Sequence, residues 1–203
     1  MTHPNTTTVV LASQSAIRRK LLENAGLAIE TLPARVDEDE IKLAMRAGGA
    51  SVEDAAIKLA EAKARRIGEK IPGAIVIGCD QMLECNGVWF DKPPDRTHAA
   101  AHLRALSGKT HRLVSAVVAY RNMVRVWHHV DSAKLAMRPL SDAFIDAYLD
   151  QAGDAALGSV GAYQLEGLGA QLFTRVEGDY FTVLGLPLLP LLGFLRANGV
   201  VAE

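Results

Sequence analysis

The chain has 203 residues, of which 49% are hydrophobic and 22% are charged. This composition is typical of a folded globular protein and excludes a mainly disordered one. The formal net charge is -1, which gives no long-range attraction for a nucleic-acid backbone, so we do not expect a nucleic-acid-binding protein. The two cysteines lack the spacing of a zinc site.

The sequence also predicts no export or membrane segment. Residues 1–8 lack the basic and apolar regions of a signal peptide. The most apolar stretch, residues 184–195, is too short to span a bilayer and contains two prolines. We therefore expect a cytoplasmic protein that has no membrane partner.

Predicted strands and helices alternate in the first part of the chain. The patterns predict, in order, a strand over 9–12, a helix over 16–24, a strand over 27–32, an acidic loop over 35–40, a helix over 52–67 and a strand over 74–79. Ser15 is a good N-cap for the first helix, and Gly26 is a good stop signal. Asp80 directly follows the last of these strands.

Hairpins become frequent in the second part. The patterns predict a hairpin over 82–90, a helix over 97–106 capped by Thr97, strands over 111–120 and 124–137, a helix over 141–150 capped by Ser141, a glycine-rich loop over 158–169, a hairpin formed by 171–176 and 180–184, and a helix over 188–197. Asn86-Gly87 is a strong signal for a type I′ turn in the first hairpin. The order predicts a single α/β domain over residues 1–203, with a mixed, twisted sheet, flanking helices and two lobes around a cleft.

The first candidate site is the step from strand to helix at Leu11-Ala12-Ser13-Gln14-Ser15-Ala16-Ile17-Arg18-Arg19. A helix N-terminus offers free N–H groups and the positive end of the helix dipole, which together attract anions. Ser13, Ser15 and Arg18 would strengthen such a site for phosphate. The alternative is that Ser15 only caps the helix and the arginines face solvent.

Acidic and basic residues at the ends of other elements form the second candidate set. The acids are Glu38, Asp80 and Glu166, and the cations besides Arg18 are Lys63 and Lys92. Carboxylates bind Mg²⁺ or Mn²⁺, and cations with a metal neutralise a polyphosphate, so the set suits cleavage of a phosphoanhydride. Each residue alone has an ordinary alternative: a turn-capping aspartate, or a solvated lysine or glutamate.

Ten short motifs follow one another over nearly the whole chain. They are Leu11 to Leu22, Val36-Asp37-Glu38, Ala62-Lys63-Ala64, Gly78-Cys79-Asp80-Gln81, Asn86-Gly87, Lys92-Pro93, Leu106 to His111, Gly161-Ala162-Tyr163, Glu166-Gly167-Leu168-Gly169 and Gly185-Leu186-Pro187-Leu188. Any one of these motifs is weak, whereas the ordered set is highly specific and resembles the Maf family.

The resemblance implies a nucleoside triphosphate pyrophosphatase that uses a divalent cation, Mg²⁺ or Mn²⁺, and cleaves between the α- and β-phosphates. It implies Asp80 as the proton acceptor for the attacking water and Glu38 with Asp80 as metal ligands. The implied phosphate ligands are Ser13, Arg18, Lys63 and Lys92. An aspartate among several cations is expected to be ionised and only weakly basic. Members of the family often form dimers, which leaves a homodimer open for this chain.

Three positions bear on the preferred base. Family members that favour dTTP and UTP usually carry arginine, threonine and glutamine at the positions of Ile17, Gln81 and Glu166. The residues of this chain at these positions instead resemble the branch of the family linked to 7-methyl-GTP. A carboxylate at position 166 can accept hydrogen bonds from the N1–H and amino groups of guanine, or it can act as a further metal ligand. Ala16 replaces a frequent proline, which would only start the helix.

Two other functions stay open. One is hydrolysis of a non-standard purine nucleotide such as an inosine or xanthosine triphosphate, as a house-cleaning activity. The other is a nucleotide-binding regulator of septum formation, a process with which the family has been associated, in which catalysis would not be essential.

Overall fold

A computed structural model describes residues 7–202 of the chain, so the expected absence of a signal peptide in residues 1–8 falls mainly outside the described part. Over this range there are seven strands: β1 (Val9–Leu11), β2 (Ile29–Thr31), β3 (Ile75–Cys85), β4 (Val88–Phe90), β5 (Thr110–Arg121), β6 (Val124–Met137) and β7 (Phe173–Glu177). There are seven α-helices over the same range: α1 (Ala16–Asn24), α2 (Glu38–Ala47), α3 (Val52–Gly68), α4 (Arg96–Leu106), α5 (Asp142–Ala152), α6 (Tyr180–Val183) and α7 (Leu188–Ala197).

The strands form one mixed sheet in the order β2-β1-β3-β5-β6-β7, with β4 paired to β3. Strand β1 runs parallel to both β2 and β3, whereas β4 is antiparallel to β3 and β7 is antiparallel to β6. The predicted α/β class with a mixed sheet is therefore confirmed. The chain divides into two compact units; three of the boundaries fall inside β3, β5 and β6, and the fourth follows the last residue of α6.

The first unit comprises the described residues of 1–80, 115–131 and 184–203. All three residues of β1 are buried, as expected for a parallel strand with neighbours on both sides. Helix α3 buries a face made mostly of small residues, Ala55, Ala56, Leu59, Ala60, Lys63, Ala64 and Ile67 among them. Lys63 is the one charged member of that face.

Two predictions in the first unit were wrong. The acidic segment 35–40 is not a loop throughout, because α2 begins at Glu38 with Asp37 as its N-cap, whose carboxylate accepts a hydrogen bond from the backbone N–H of Glu40. Strand β3 does not end before Asp80 but continues to Cys85. Asp80 therefore lies inside a strand rather than at a strand end.

The second unit comprises residues 81–114 and 132–183. Its apolar core combines the end of β3 with α4, α5 and the segment 156–172, and includes Leu83, Leu103, Ile145, Tyr163 and Leu172. The Asn86-Gly87 turn has the two positive φ values that a type I′ hairpin requires, so this prediction is confirmed.

Two further predictions were wrong in the second unit. Helix α4 is capped by Asp95, not by Thr97, since the Asp95 carboxylate accepts from the backbone N–H of His98. Segment 180–184 is not the second strand of a hairpin, because residues 180–183 form α6 and β7 pairs with β6 instead. Among the helices of residues 7–202, none has both the length and the apolar character needed to cross a membrane.

Candidate functional site

The centre of the candidate site is the buried ammonium group of Lys63. Its Nζ lies 2.6 Å from Oδ1 of Asp80 and 2.8 Å from Oε1 of Glu38. Lys63 is only 9% exposed and Asp80 only 5%. Lys63 is thus not a solvated lysine, which was the alternative for this residue. The structure brings Lys63, Asp80 and Glu38 together inside the first unit. The side chain of Glu38 is 42% exposed, so this end of the cluster faces solvent.

A glycine in β3 allows this approach. A Cβ atom built on Gly78 would overlap the carbonyl oxygen of Ala60 and lie 2.9 Å from the backbone nitrogen of Ala64. Any larger residue would therefore push α3 away from β3. Because Lys63 is on α3 and Asp80 is on β3, this close packing sets the distance between the two charged groups. Gly78 is a structural residue of the site that we did not predict, although a glycine inside an apolar strand signals a close approach of backbone.

Burial raises the pKa of the Asp80 carboxyl above its ordinary value, while the charges of Lys63 and Arg18 act in the opposite direction. Burial is the largest of these effects. This differs from the expectation of a weakly basic aspartate, because that expectation counted the neighbouring cations and not the loss of hydration. Asp80 is therefore a stronger proton acceptor than an aspartate at the surface.

Glu38 is held at the first position of α2. Asp37 caps that helix, so the orientation of Glu38 follows from an ordinary N-cap. Lys42, one turn further on, has its Nζ 3.8 Å from the other carboxylate oxygen of Glu38. The carboxylates of Glu38 and Asp80 each contact the same nitrogen, so they lie within reach of one small cation.

The beginning of α1 carries the next two candidates. Arg18 donates from Nε to the carbonyl oxygen of Gly185 at 2.8 Å and from one terminal nitrogen to that of Cys79 at 3.1 Å. The guanidinium is thereby fixed next to the residue that precedes Asp80. The hydroxyl of buried Ser13 accepts from the backbone N–H of Ser15, and Ser15 caps α1 as predicted. Ser13 thus shapes the turn before the helix. Ser15 caps the helix, which was the alternative to a role in phosphate binding.

The other three predicted residues lie in the second unit. Gln81 donates both amide hydrogens, to the carbonyl oxygens of Thr182 and Val183, at 3.1 and 3.0 Å. Lys92 is exposed after β4, and Glu166 is exposed on a turn of the glycine-rich segment. A cavity of about 270 Å³ in this unit borders the same turn, with Tyr148, Gln151 and Gln164 in its lining, but includes no predicted site residue.

The arrangement in the first unit combines two acids, a shared ammonium and a fixed guanidinium. Within residues 7–202, no group of three or more histidine, cysteine, aspartate or glutamate side chains is placed to hold a metal ion. One or two carboxylates are the usual protein contribution where substrate phosphates complete the coordination of Mg²⁺. Such a site can bind an anionic phosphate ester and accept a proton from water.

Comparison with known protein families gives a match over nearly the whole chain. A sequence model of the Maf family, described as Maf-like protein, matches residues 8–198. The chain belongs to the Maf family, as the ordered motifs predicted.

Three relatives illustrate the similarity. A protein of Paramagnetospirillum magneticum named nucleoside triphosphate pyrophosphatase is 58% identical over 94% of this chain and 98% of its own length. One of Granulibacter bethesdensis with the same name is 54% identical over 94% of this chain and 96% of its own length. A protein of Rhizobium meliloti named 7-methyl-GTP pyrophosphatase is 53% identical over 95% of this chain and 97% of its own length.

Proposed function

We propose that this protein is a nucleoside triphosphate pyrophosphatase, which hydrolyses its substrate to the nucleoside monophosphate and pyrophosphate. Membership of the Maf family and the names of its relatives support this reaction class. The structural observation that carries the proposal is the buried Lys63 ammonium between Asp80 and Glu38, since a surface lysine or a lone aspartate would have no such partners.

Asp80 is the proposed proton acceptor. A water oxygen attacks the α-phosphorus, Asp80 takes the proton of that water, and the bond from the α-phosphorus to the bridging oxygen breaks to release pyrophosphate. The raised pKa of Asp80 favours this role, because a general base works best when its pKa approaches the working pH. Lys63 orients the carboxylate through their hydrogen bond.

Glu38 and Asp80 are the proposed ligands of a divalent cation, Mg²⁺ or Mn²⁺. Both carboxylates already share one cationic partner, so their positions suit positive charge, and hard oxygen donors suit these ions. The bound ion would supply neutralisation of the polyphosphate charge. Arg18, Lys63 and Lys92 are the proposed cationic phosphate ligands, with Ser13 at the N-terminus of α1 as a further one.

We further propose that the preferred base is a purine, with 7-methyl-GTP as the first candidate. Glu166 would accept from the N1–H and amino groups of guanine, and its charge would attract the positive ring that methylation at N7 creates. Gln81 would contribute through the orientation that its two hydrogen bonds fix. The name of the Rhizobium meliloti relative supports this choice. A cytoplasmic location, a homodimer and the lack of nucleic-acid binding stay predictions of the sequence.

A nucleotide panel tests the proposal. Purified protein is incubated with Mg²⁺ or Mn²⁺ and each of 7-methyl-GTP, GTP, UTP, dTTP, ITP and XTP, and the products are separated into monophosphate, diphosphate, phosphate and pyrophosphate. We expect pyrophosphate and monophosphate, loss of release with EDTA, and preference for 7-methyl-GTP. Release of phosphate and diphosphate would contradict the reaction class. No release by folded protein would favour the nucleotide-binding regulator.

A further inference from the structure

The turn that carries Glu166 is held from both ends by buried contacts of the second unit. The backbone N–H of Gly167 donates to the carbonyl oxygen of Gln164 at 3.2 Å, which closes the turn. A Cβ on Gly169 would overlap that same carbonyl group, so the chain folds tightly back on itself after the turn. Glu166 therefore stands exposed on a compact loop and not on a loose one.

A buried hydrogen bond fixes the end of the turn that precedes Glu166. Nε2 of His111, on β5, lies 2.7 Å from the hydroxyl oxygen of Tyr163. His111 is 1% exposed and Tyr163 is 4% exposed. The Tyr163 ring packs edge-on against Phe173, with ring centroids 4.8 Å apart. The hydrogen bond thus joins two motifs, residues 106–111 and 161–163, to which the proposed reaction assigns no role.

The residue before Tyr163 is fixed in an unusual conformation. Ala162 has a φ of 65°, a left-handed value that residues with a Cβ rarely adopt. Its carbonyl oxygen accepts a hydrogen bond from the Tyr148 hydroxyl at 3.1 Å. Such backbone strain persists only where surrounding contacts hold it in place, and it clusters at functional positions. Here the Tyr148 hydroxyl contacts Ala162 itself, and the Tyr163 hydroxyl holds the next residue against His111.

We propose that His111 and Tyr163 are positioning residues for base recognition, which hold the turn so that Glu166 meets the Watson–Crick edge of a purine base. The inference rests on the proposed function, because it assigns Glu166 to the base of the nucleotide. A carboxylate distinguishes the two donors of guanine, N1–H and the amino group, from the single ring N–H of uracil or thymine best when its position is fixed, and a preformed turn supplies that position without ordering on binding.

The test removes one oxygen atom. Tyr163→Phe deletes the hydroxyl that His111 contacts and keeps the ring against Phe173. Tyr180→Phe, at a 55% exposed tyrosine of the same unit, is the matched control. For each protein, Kd is measured with Mg²⁺ and α,β-methylene analogues of 7-methyl-GTP and UTP, and kcat and KM with the natural nucleotides.

We expect Tyr163→Phe to reduce the ratio of the two affinities about tenfold, the size of one net hydrogen bond, through weaker binding of the purine, while Tyr180→Phe leaves the ratio unchanged. In a Glu166→Gln background the Tyr163→Phe change should no longer alter the ratio, since residues that act through one group are not additive. An unchanged ratio, an equal loss for both analogues, or the same shift in both backgrounds would overturn the inference. Failure of the wild type to release pyrophosphate would instead refute the proposed function, because the binding ratios do not depend on turnover.

Discussion

Replacement of Lys63 by methionine should destabilise the protein in a pH-dependent way. The substitution keeps most of the volume of the side chain but removes the ammonium that contacts Asp80 at 2.6 Å and Glu38 at 2.8 Å. Asp80 then remains buried in a strand without its hydrogen-bonded cation. Glu38 is half exposed, so water can replace the lost partner there.

The expected cost comes almost entirely from Asp80. Breaking a buried ion pair by removal of one partner typically costs about 3–5 kcal/mol, whereas the contact with half-exposed Glu38 contributes at most about 1 kcal/mol. Arg18 still attracts the Asp80 carboxylate, so we expect a loss of about 3 kcal/mol at neutral pH. That is a large part of the total stability of a typical domain, about 5–15 kcal/mol.

The pH dependence gives the sharper test. Burial raises the pKa of Asp80 in the folded protein, so the folded state binds this proton more tightly than the unfolded state does. The stabilisation that protonation of Asp80 gives the folded protein is present at low pH. It is lost as the pH rises through the pKa that Asp80 has in the folded protein. Without Lys63 that pKa rises further. The loss caused by the substitution should therefore shrink as the pH falls from neutral into the acid range.

Urea unfolding at several pH values measures this difference. Lys58→Met is the control, because Lys58 is an exposed residue of the same helix. A loss of stability under about 1 kcal/mol for Lys63→Met, or a loss that stayed constant from neutral to acid pH, would refute the stabilising role of the Lys63–Asp80 ion pair.

Three further changes test other parts of the structure, each by urea unfolding. Gly78→Ala should cost about 3 kcal/mol, because the new methyl group meets backbone atoms of α3; an unchanged midpoint would show that α3 is not confined there. Asp37→Ala should cost about 1 kcal/mol through loss of the α2 N-cap, with Asp37→Asn close to wild type, and equal losses in both would contradict the capping role. Burial lowers the pKa of His111 to about 4. Between pH 6.5 and pH 4 the unfolded chain therefore binds a proton at His111 that the folded chain does not bind. The free energy of unfolding of the wild type should fall by about 3 kcal/mol over this range. His111→Gln should lack this pH-dependent part of the free energy of unfolding. Parallel pH profiles of the wild type and His111→Gln would contradict the prediction.

Much of the fold was predictable from local signals. Ser15 and Ser141 cap α1 and α5 as predicted, and Asn86-Gly87 forms its turn, because capping and turn chemistry depend on neighbouring residues only. Helix α2 was missed because all its residues are at least partly exposed and its acidic start looks like a loop. Segment 180–184 was misassigned because Val183 and Leu184 are buried by tertiary packing, as residues of a strand would be.

The charges of the site were predictable, but their environment was not. The residue types of Glu38, Lys63 and Asp80 could be picked out from the motifs. The burial of Lys63 and Asp80 depends on the contact of α3 with β3 at Gly78, which pairs residues distant in the chain. The raised pKa of Asp80 follows from that burial, so the count of nearby cations alone gave the wrong direction.

The catalytic role of Asp80 is tested by pyrophosphate release from 7-methyl-GTP, with Mg²⁺ or Mn²⁺, by wild-type protein and by Asp80→Asn. Asp39→Asn, at an exposed position of α2, serves as the control, and circular dichroism verifies that all three proteins are folded. We predict that the wild type and Asp39→Asn release pyrophosphate at the same rate and that kcat of Asp80→Asn falls by about 10³-fold, as expected for loss of a general base. Folded Asp80→Asn that turns over at the wild-type rate would contradict the account.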